Sequence, residues 1–543
     1  MGEKQVLRED FVVPPCREAC PAGINVSRYV RCIREGNFSE ALAVIRERIP
    51  FPSVCGYACY APCEKRCAAQ QFGDSIAIRT LKRAAAEMGG EEWKKNLKIA
   101  PSTGKRIAVV GSGPSGLTAA YFLATLGHGV TVFEACDEPG GMLRVGIPRY
   151  RLPRNVVDRE IDYIKEVGVE IRTGSKVDDV DGLLKNGFDA VFVACGAPKG
   201  ANLGIPGDNS PGVMIGISFL KKVNSSQEVK VGDRVAIIGG GNTAVDTARC
   251  ARRLGAKEVT LYYRRSEEEM TANRDEIEAA IEEGVRIELL TAPVKIESEG
   301  DTLKVTFTRM KLGKLDASGR RSPIPIEGSE FTREFDTVIA SVGQVPDVPG
   351  SISGDKNKPL PVDGNTLATD KEGIFAGGDV VSGPASIIEA IAHGRRAASS
   401  IDKYLGGKGV IDQPLAPLEE VVSISEDVPK EKIRVPVPSL PLAERLSSFE
   451  PVEVGYSMVL AMKEAERCMS CDARHFEVIV HPEGCKECKL CMEVCKVGVF
   501  EATKEFNERG YRPVSAQHVN RCIGCMQCFY VCPDFSIEVK KCA

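Results

Sequence analysis

Two glycine-rich turns, each between an apolar strand-like segment and a helical one, constrain the fold of this 543-residue chain most strongly. They lie in "IAVVGSGPSGLTAAYFLATLGHGVTVFEA", from residue 107, and "RVAIIGGGNTAVDTARCARRLGAKEVTLYYRR", from residue 234. A strand, a tight glycine turn, a helix and a second strand form a βαβ unit of a parallel sheet. Two such units predict an α/β protein with two dinucleotide-binding domains.

The first turn has the pattern Gly111-x-Gly113-x-x-Gly116, with Ser115 at the start of the helix. Its glycines permit a tight turn, close approach to a pyrophosphate and close packing of helix on strand. The helix N-terminus stabilises phosphate charge. Glu134 ends the next strand, where a carboxylate accepts hydrogen bonds from a ribose. A dinucleotide site is therefore favoured over a merely structural glycine turn.

The second turn has the pattern Gly239-x-Gly241-x-x-Ala244, with Asn242 and Thr243 opening the helix. The next strand ends in Arg264 and Arg265 instead of an acidic residue. Arginine at this place pairs with a 2′-phosphate, so the pattern favours NADPH, with NADH as the alternative. The competing interpretation is a pair of solvated surface arginines.

Composition excludes several classes of protein. The net charge is −4 without a basic block, so nucleic acid is not an expected partner. The charged start "MGEKQVLRED" is not a signal peptide, and no run reaches the roughly 18 apolar residues of a membrane span. We therefore expect a cytoplasmic protein without membrane insertion.

The 21 cysteines are unevenly distributed: seven lie in 16–67, three between 136 and 250, and eleven in 468–542. In a large chain of a reducing compartment, such clusters indicate metal or redox chemistry more often than disulfides.

The C-terminal cysteines repeat one spacing, C-x2-C-x2-C-x3-C. This is the bacterial two-cluster ferredoxin pattern, in which the fourth cysteine of each run binds the other [4Fe–4S] cluster. Zinc sites use pairs of cysteines, and we disfavour zinc on that ground. The predicted ligands are Cys485, Cys488, Cys491 and Cys532 for one cluster, and Cys495, Cys522, Cys525 and Cys528 for the other.

Residues 14–405 resemble the small subunit of glutamate synthase and its relatives, NADPH-dependent FAD oxidoreductases that share a fold with thioredoxin reductase. The resemblance is carried, in order, by "GSGPSGLTAAYFLATLGHGVTVFEA", "GGMLRVGIPRYRLP", "GGGNTAVDTA", "YYRRSEEEMTA" and "GIFAGGDV". It implies FAD on the first turn and hydride transfer by the flavin, without a catalytic side chain. The further FAD contacts that it implies are Gly141, Leu143, Val177, Gly378, Asp379, Ser386 and Ile387.

The same resemblance implies an N-terminal helical domain with two [4Fe–4S] clusters, but the family's first "RC-x-x-C" pair is missing here. The segment "EAERCMSC", at 464–471, looks like that missing pair. By the resemblance, one cluster is held by Cys16, Cys67, Cys468 and Cys471, and the other by Cys20, Cys59, Cys63 and, as a guess, Cys55. The alternatives for Cys468 and Cys471 are a free pair, a labile disulfide, or half of a zinc site.

We predict the following domains: 1–103 helical Fe–S; 104–228 and 341–407 FAD-binding; 229–340 NADPH-binding; 408–460 linker; 461–476 returning segment with Fe–S ligands; 477–543 ferredoxin-like α+β. Expected cofactors are FAD, NADPH and four [4Fe–4S] clusters. The expected activity moves electrons between NADPH and a ferredoxin or a partner's Fe–S chain. Alternatives are a wiring subunit of a larger complex, such as a 2-oxoacid:ferredoxin oxidoreductase or an electron-bifurcating enzyme, and a glutamate synthase small subunit.

Overall fold

The computed structural model describes residues 3–6, 13–352, 355, 357–419, 421–424, 431–473 and 476–541. The chain divides into two compact units. The first unit consists of Met1–Lys98, Asp412–Pro438 and Gly455–Ala543, and the second of Ile99–Ile411 and Ser439–Val454. Both cysteine-rich ends of the chain therefore belong to one unit, and both glycine turns belong to the other.

The α-helices of the described residues are, in chain order, α1 (Pro15–Glu18), α2 (Val26–Arg34), α3 (Phe38–Arg46), α4 (Pro52–Ala58), α5 (Pro62–Lys65), α6 (Ile78–Met88), α7 (Pro114–Thr125), α8 (Met142–Val145), α9 (Arg154–Glu166), α10 (Val180–Lys185), α11 (Gly216–Asn224), α12 (Asn242–Arg253), α13 (Arg274–Glu282), α14 (Asp379–Ser382), α15 (Ile387–Tyr404), α16 (Leu442–Ser447), α17 (Met458–Glu466), α18 (Leu490–Val494) and α19 (Gln527–Val531).

The strands are β1 (Glu3–Val6), β2 (Arg106–Val110), β3 (Gly129–Phe133), β4 (Glu170–Arg172), β5 (Ala190–Val193), β6 (Lys199–Gly200), β7 (Val213–Ile215), β8 (Arg234–Ile238), β9 (Glu258–Tyr262), β10 (Val285–Glu288), β11 (Thr291–Glu299), β12 (Thr302–Leu315), β13 (Arg321–Pro325), β14 (Phe331–Phe335), β15 (Thr337–Ala340), β16 (Gln344–Val345), β17 (Ile374–Ala376), β18 (Val421–Ile424), β19 (Phe476–Val480), β20 (Glu501–Ala502), β21 (Val514–Ser515) and β22 (Ile537–Lys541).

In the second unit, each glycine turn lies at the carboxyl end of a central parallel strand. The first sheet has the order β17-β5-β2-β3-β4, and the second has the order β10-β9-β8-β15-β7. Strands β2 and β8 are buried runs of Ile, Val and Ala, as expected for strands covered on both faces. The two parallel sheets confirm the predicted α/β fold class with two Rossmann-like domains.

An antiparallel sheet follows the second nucleotide fold, with β12 paired to β11, β13 and β14. Strand β7 is an edge strand of the second parallel sheet, although it precedes the boundary that we predict at 228/229.

The segment that we predict as a linker is divided between the two units, because 412–438 belongs to the first unit and 439–454 to the second. In the second unit, the Val452 amide donates to the Tyr150 carbonyl oxygen at 2.9 Å. The domain boundaries themselves stay predictions.

The first unit contains the helices α1 to α6 and a small ferredoxin-like module. In the module, β19 pairs with β22 and β20 with β21, and α18 and α19 follow the two cysteine runs. Helices α4 and α6 touch backbone to backbone, since a Cβ at Gly56 would lie 2.6 Å from the Arg83 Cα. Only glycine permits this approach, which brings Cys55 of α4, and Cys59 directly after the helix, towards α6.

The segment 455–473 is anchored on the N-terminal helices by buried charges. The Glu464 carboxylate accepts hydrogen bonds from the amides of Ala77, at 2.8 Å, and Val435, at 2.9 Å, and pairs with Arg467 at 2.8 Å. The Arg31 guanidinium donates to both carboxylate oxygens of Asp472, at 2.6 and 2.9 Å. A buried carboxylate with three hydrogen-bond donors fixes the position of the segment that carries it, because any displacement of the segment would leave several polar groups unpaired.

In the described part of the chain, no helix combines the length and apolar character required to cross a bilayer.

We predict that Glu464→Ala loosens the returning segment. It leaves two amides without an acceptor and takes the only carboxylate partner from the buried Arg467 guanidinium, which keeps backbone carbonyl acceptors alone among the described residues. We expect a loss of about 3–5 kcal/mol of local stability. Hydrogen–deuterium exchange should accelerate in residues 73–78 and 432–437. The matched control is Glu466→Ala, which removes an exposed carboxylate from the same helix. Equal exchange in both variants would contradict the anchoring role.

Candidate cofactor sites

The glycines of the first turn lie in very different surroundings. A Cβ at Gly111, where φ is +104°, would lie 2.5 Å from the Ala194 carbonyl oxygen. A Cβ at Gly116 would lie 2.1 Å from the Gly111 oxygen, whereas a Cβ at Gly113 would meet nothing within 4 Å. Gly111 and Gly116 are thus required for the close packing of the backbone, whereas Gly113 leaves open space at the N-terminus of α7.

A buried hydroxyl supports a ligand at this turn. The Ser115 Oγ is buried and has no hydrogen-bond partner in the described part of the chain. Buried hydroxyls normally have partners, so this one fits a phosphate oxygen of a bound dinucleotide.

Glu134 shapes the same turn from the end of β3. Its Oε2 accepts hydrogen bonds from the Ser112 amide, at 2.9 Å, and the Ser112 hydroxyl, at 2.5 Å, and its Oε1 accepts from the Cys136 amide at 2.8 Å. The carboxylate therefore fixes the turn, and its predicted contact with a ribose stays a prediction.

The predicted flavin contacts after β17 lie on one loop and at the start of a helix. The Gly378 amide donates to the His393 Nδ1 at 2.9 Å, which ties the loop to α15. Burial raises the pKa of Asp379 to about 6. Ser386 caps α15, and Ile387 is its first residue. Sequence reasoning missed His393, because one histidine in a helix gives no local indication of its partner.

The remaining predicted FAD contacts belong to the same unit. Gly141 has φ of +53°, and a Cβ there would lie 2.9 Å from the Gly113 Cα. The Gly141 loop and the glycine turn are therefore adjacent. Leu143 is buried in α8, and the partly buried Val177 packs on the core behind β5 and β17.

The second glycine turn has similar local geometry. Gly239 has φ of +151°, and Gly241 precedes α12, which includes the buried Ala244. The Asn242 Oδ1 accepts from the Asn273 amide at 2.9 Å, and the Thr243 hydroxyl accepts from the Gln344 side chain at 3.2 Å. The turn is thereby held by the residue before α13 and by the first residue of β16.

The two arginines after β9 have different environments. Arg265 is buried, donates from Nε to the Arg321 carbonyl oxygen at 2.8 Å, and pairs with Asp316 at 2.7 Å. Arg264 is exposed and has no ion-pair partner among the described residues. Arg264 is therefore the better placed to bind a phosphate, whereas Arg265 holds the β12–β13 hairpin.

The returning cysteine pair lies beside the N-terminal cysteines. Burial raises the pKa of the Cys16 thiol well above its ordinary value, and the neighbouring thiolates of Cys471, Cys67 and Cys468 raise it further. The structure thus brings together the four thiols that the resemblance groups. Cys16 is buried and the other three cysteines are half-buried. Four neighbouring thiolates would repel one another, so their grouping fits a cationic metal core.

A second group of thiols surrounds a buried lysine. Burial lowers the pKa of the Lys82 ammonium, but the thiolates of Cys59, Cys55, Cys63 and Cys20 outweigh it, and the pKa lies above its ordinary value. Cys55 therefore lies near Lys82 together with the other three thiols, and its role as a ligand stays a prediction.

The buried Tyr29 lies between the two N-terminal groups. Burial raises the pKa of its phenol well above the ordinary value, and the thiolates of Cys63, Cys16 and Cys20 add to the effect. Its hydroxyl donates to the Ile78 carbonyl oxygen at 3.1 Å.

Two mainly apolar cavities lie in the described part of the ferredoxin-like module. The cysteines that line the first are Cys485, Cys488, Cys491 and Cys532, and those that line the second are Cys495, Cys522, Cys525 and Cys528. Each cavity therefore has one predicted ligand set, including the cysteine that crosses from the other run. The four thiols of each cavity are the donor set that one iron–sulfur cluster requires.

The second cavity faces the N-terminal helices. The Gln71 side chain donates to the Val494 carbonyl oxygen at 2.8 Å and accepts from the Lys496 amide at 3.1 Å, on either side of Cys495. Arg521, before Cys522, pairs with Glu18 at 2.6 Å. Met469, between Cys468 and Cys471, belongs to the module's apolar core.

No disulfide joins the cysteines of the described residues. Within those residues, no group of three or more His, Cys, Asp or Glu side chains converges as the ligands of a single metal ion would.

Three protein families match different parts of the chain. Residues 105–394 match the family described as pyridine nucleotide-disulphide oxidoreductase, which is more than half of the chain. Residues 11–93 match "Dihydroprymidine dehydrogenase domain II, 4Fe-4S cluster", and residues 484–535 match "4Fe-4S dicluster domain".

Similar proteins cover most of the chain. The NADP(+)-dependent formate dehydrogenase subunit beta of Moorella thermoacetica is 39% identical over 507 residues, which are 85% of this chain and 71% of that protein. The glutamate synthase [NADPH] small chain of Escherichia coli is 32% identical over 427 residues, 72% of this chain and 89% of that protein. The similarity to this small chain confirms the resemblance inferred from the motifs.

One similar solved structure is Mycobacterium tuberculosis FprA in complex with NADPH, with a TM-score of 0.50 and 20% sequence identity. The match covers 56% of this chain and 85% of the FprA chain. At this identity it supports the fold alone. The chain belongs to the pyridine nucleotide-disulphide oxidoreductase family and is an NAD(P)H-dependent flavin and iron–sulfur oxidoreductase.

Proposed function

We propose that this chain moves electrons between NADPH, bound at the second glycine turn, and four [4Fe–4S] clusters that lead to a partner protein, with FAD at the first turn. When bound, FAD exchanges a hydride with NADPH and single electrons with iron–sulfur clusters. The protein's part is to position these groups and to set their charge environment. The observation that carries the proposal is that the cysteine-rich segments of both chain ends belong to one compact unit.

The proposed ligands follow these groups. They are Cys16, Cys67, Cys468 and Cys471; Cys20, Cys55, Cys59 and Cys63; Cys495, Cys522, Cys525 and Cys528; and Cys485, Cys488, Cys491 and Cys532. The first two sets are supported by the mutual electrostatic effects of their thiols. The last two are supported by the cavities that they line.

The contacts within the first unit support an order for these sets. Gln71 and Glu18, from the N-terminal helices, bind the module beside Cys495 and Cys522. Cys488, in the other set, is exposed. We infer that the Cys495 set faces the N-terminal clusters and that the partner approaches the Cys488 set.

The partner is an iron–sulfur protein or subunit. This inference rests on the terminal ferredoxin-like module and on the similar protein that is named as a beta subunit of a formate dehydrogenase. The glutamate synthase small chain covers only 72% of this chain, against 85% for the formate dehydrogenase subunit. The longer match favours a subunit of an oxidoreductase complex over a glutamate synthase subunit.

Anaerobic purification from the native host tests the proposed partner. We expect an iron–sulfur subunit to co-purify and to be reduced when NADPH is added. Purification of this chain alone, with rapid reduction of free ferredoxin, would instead make the soluble ferredoxin the partner.

We predict that Cys468→Ala removes one cluster. The thiol belongs to a four-ligand set drawn from both chain ends, so the iron content should fall by about one quarter. Iron analysis and low-temperature electron paramagnetic resonance (EPR) of the anaerobically purified protein measure the loss. The matched control is Cys32→Ala, a buried cysteine of α2 outside every proposed set. Unchanged iron in Cys468→Ala would exclude this residue as a ligand.

We predict that Gly113→Ala folds but retains FAD poorly. The added methyl meets no protein atom within 4 Å, and φ and ψ of −70° and 178° suit alanine, so only a bound pyrophosphate is obstructed. The ratio of flavin absorbance to protein should fall several-fold. Gly364→Ala, also at an open glycine, is the control and should keep its flavin. Full flavin in Gly113→Ala would place the cofactor elsewhere.

We predict that Arg264→Ala weakens NADPH use selectively. Loss of one charged contact to a 2′-phosphate should raise KM for NADPH by roughly tenfold and leave KM for NADH nearly unchanged. Steady-state reduction of an artificial dye with each nucleotide measures both constants. Arg286→Ala, an exposed arginine of the neighbouring strand β10, serves as control. Equal effects on NADPH and NADH would favour NADH as the natural donor.

A further inference from the structure

Lys82 is a buried cation without the partner that buried cations normally have. It lies in α6 and is 3% exposed. Neither an ion pair nor a hydrogen bond links its ammonium to a carboxylate, hydroxyl or carbonyl group among the described residues. Lysine is almost never buried without a compensating charge, because transfer of an ammonium from water into the interior is costly.

The charged neighbours of Lys82 on its own helix are already engaged. Arg83 pairs with Glu87 at 2.7 Å and stacks on the Tyr57 ring, with its Cζ 3.8 Å from the ring centroid. Arg79 donates to the Tyr57 carbonyl oxygen at 2.9 Å. Glu64, whose carboxylate accepts from the Arg79 amide at 2.8 Å, also pairs with Arg434. This nearby carboxylate is therefore committed elsewhere.

The backbone holds Lys82 against the thiols. Gly56 approaches the Cα of Arg83, the residue after Lys82, so closely that a Cβ would lie 2.6 Å away. Cys55 is the neighbour of Gly56, and Cys59 caps the end of the same helix. The left-handed residue Ala61, with φ of +46°, then turns the chain so that Cys63 lies in α5. Three of the four thiols are thus presented by one short stretch, packed on the helix of Lys82.

A cluster in this group would supply the missing negative charge. A [4Fe–4S]²⁺ core with four thiolates has a net charge of about −2, and one-electron reduction makes it about −3. A fixed positive charge beside the cluster therefore stabilises the reduced form more than the oxidised form. The effect is strong because the site is buried and poorly screened by solvent.

The other N-terminal group has a different balance of charge. Arg31, the buried cation near Cys468, is paired with Asp472 and also with Glu419. Its charge is therefore neutralised by carboxylates, while that of Lys82 is not. Both groups consist of four cysteines, but the net charge of the neighbouring side chains differs between them.

We propose that Lys82 is the dedicated counter-charge of the cluster held by Cys20, Cys55, Cys59 and Cys63, and that it makes this cluster the easier of the N-terminal pair to reduce. This inference rests on the proposed function, since it requires a cluster at that group. Lys82 acts as a tuning residue: no bond forms or breaks at it, and the reduction adds one electron to the cluster alone.

The test compares Lys82→Met, which keeps the length but removes the charge, with Lys82→Arg, which keeps the charge. Both are purified anaerobically as full chains and titrated with dithionite and mediators, with the clusters followed by EPR. For one cluster in Lys82→Met, we expect the equilibrium constant for reduction to fall at least tenfold, which is 59 mV for a one-electron couple. Lys82→Arg should remain close to the unaltered chain.

A further variant, Cys59→Ala, identifies the EPR signal that belongs to this ligand set. The control for general effects of charge is Lys65→Met, which removes an exposed lysine from α5. If Cys59→Ala keeps full iron, the proposed ligand set and the proposed number of clusters are both wrong. The role of Lys82 then fails as well, because it requires this cluster.

Three results would overturn the role of Lys82 itself. One is an unchanged reduction equilibrium in Lys82→Met with full iron. Another is a shift equal to that of Lys65→Met. The third is loss of the cluster in Lys82→Met and Lys82→Arg alike, which would indicate packing instead of charge. Loss of the cluster in Lys82→Met, together with its retention in Lys82→Arg, would support the proposed compensation of charge.

Discussion

The return of residues 455–473 to the N-terminal helices is the interaction on which the first unit depends. Two buried carboxylates hold it: Glu464, bound by two amides and Arg467, and Asp472, bound by both terminal nitrogens of Arg31. Neither carboxylate could be buried without these donors. Because Asp472 follows Cys471 directly, the ion pair also fixes the position of the cysteine pair.

This anchoring has a consequence for the ferredoxin-like module that follows it in the chain. Met469 packs in the module's core, and Gln71 binds the backbone on either side of Cys495. One short segment thus completes an N-terminal thiol group and supports the module. A chain that carries electrons benefits from such rigid linkage, because electron transfer requires fixed positions for its redox groups.

Local sequence patterns predicted the structure correctly where the residues that determine a feature are close together in sequence. The glycine turns predicted the two parallel sheets, because the turn, the strand and the helix are adjacent. The repeated cysteine spacing predicted which four cysteines line each cavity of the module, including the exchange of Cys495 and Cys532. By contrast, the sequence could not separate Arg264 from Arg265, since the partner of Arg265, Asp316, lies on a distant hairpin.

The sequence by itself determined the family, the α/β fold class and the two sets of cysteines that line the cavities of the ferredoxin-like module, because glycine turns and cysteine spacing specify local backbone geometry. Only the tertiary structure decided the charge around the N-terminal cysteines. It placed Lys82 among four thiols without a carboxylate and gave Arg31 two carboxylates from distant segments. The carboxylates of Arg31 lie 388 and 441 residues further along the chain, and the thiols beside Lys82 belong to other segments than its own helix. No local sequence pattern encodes either proximity.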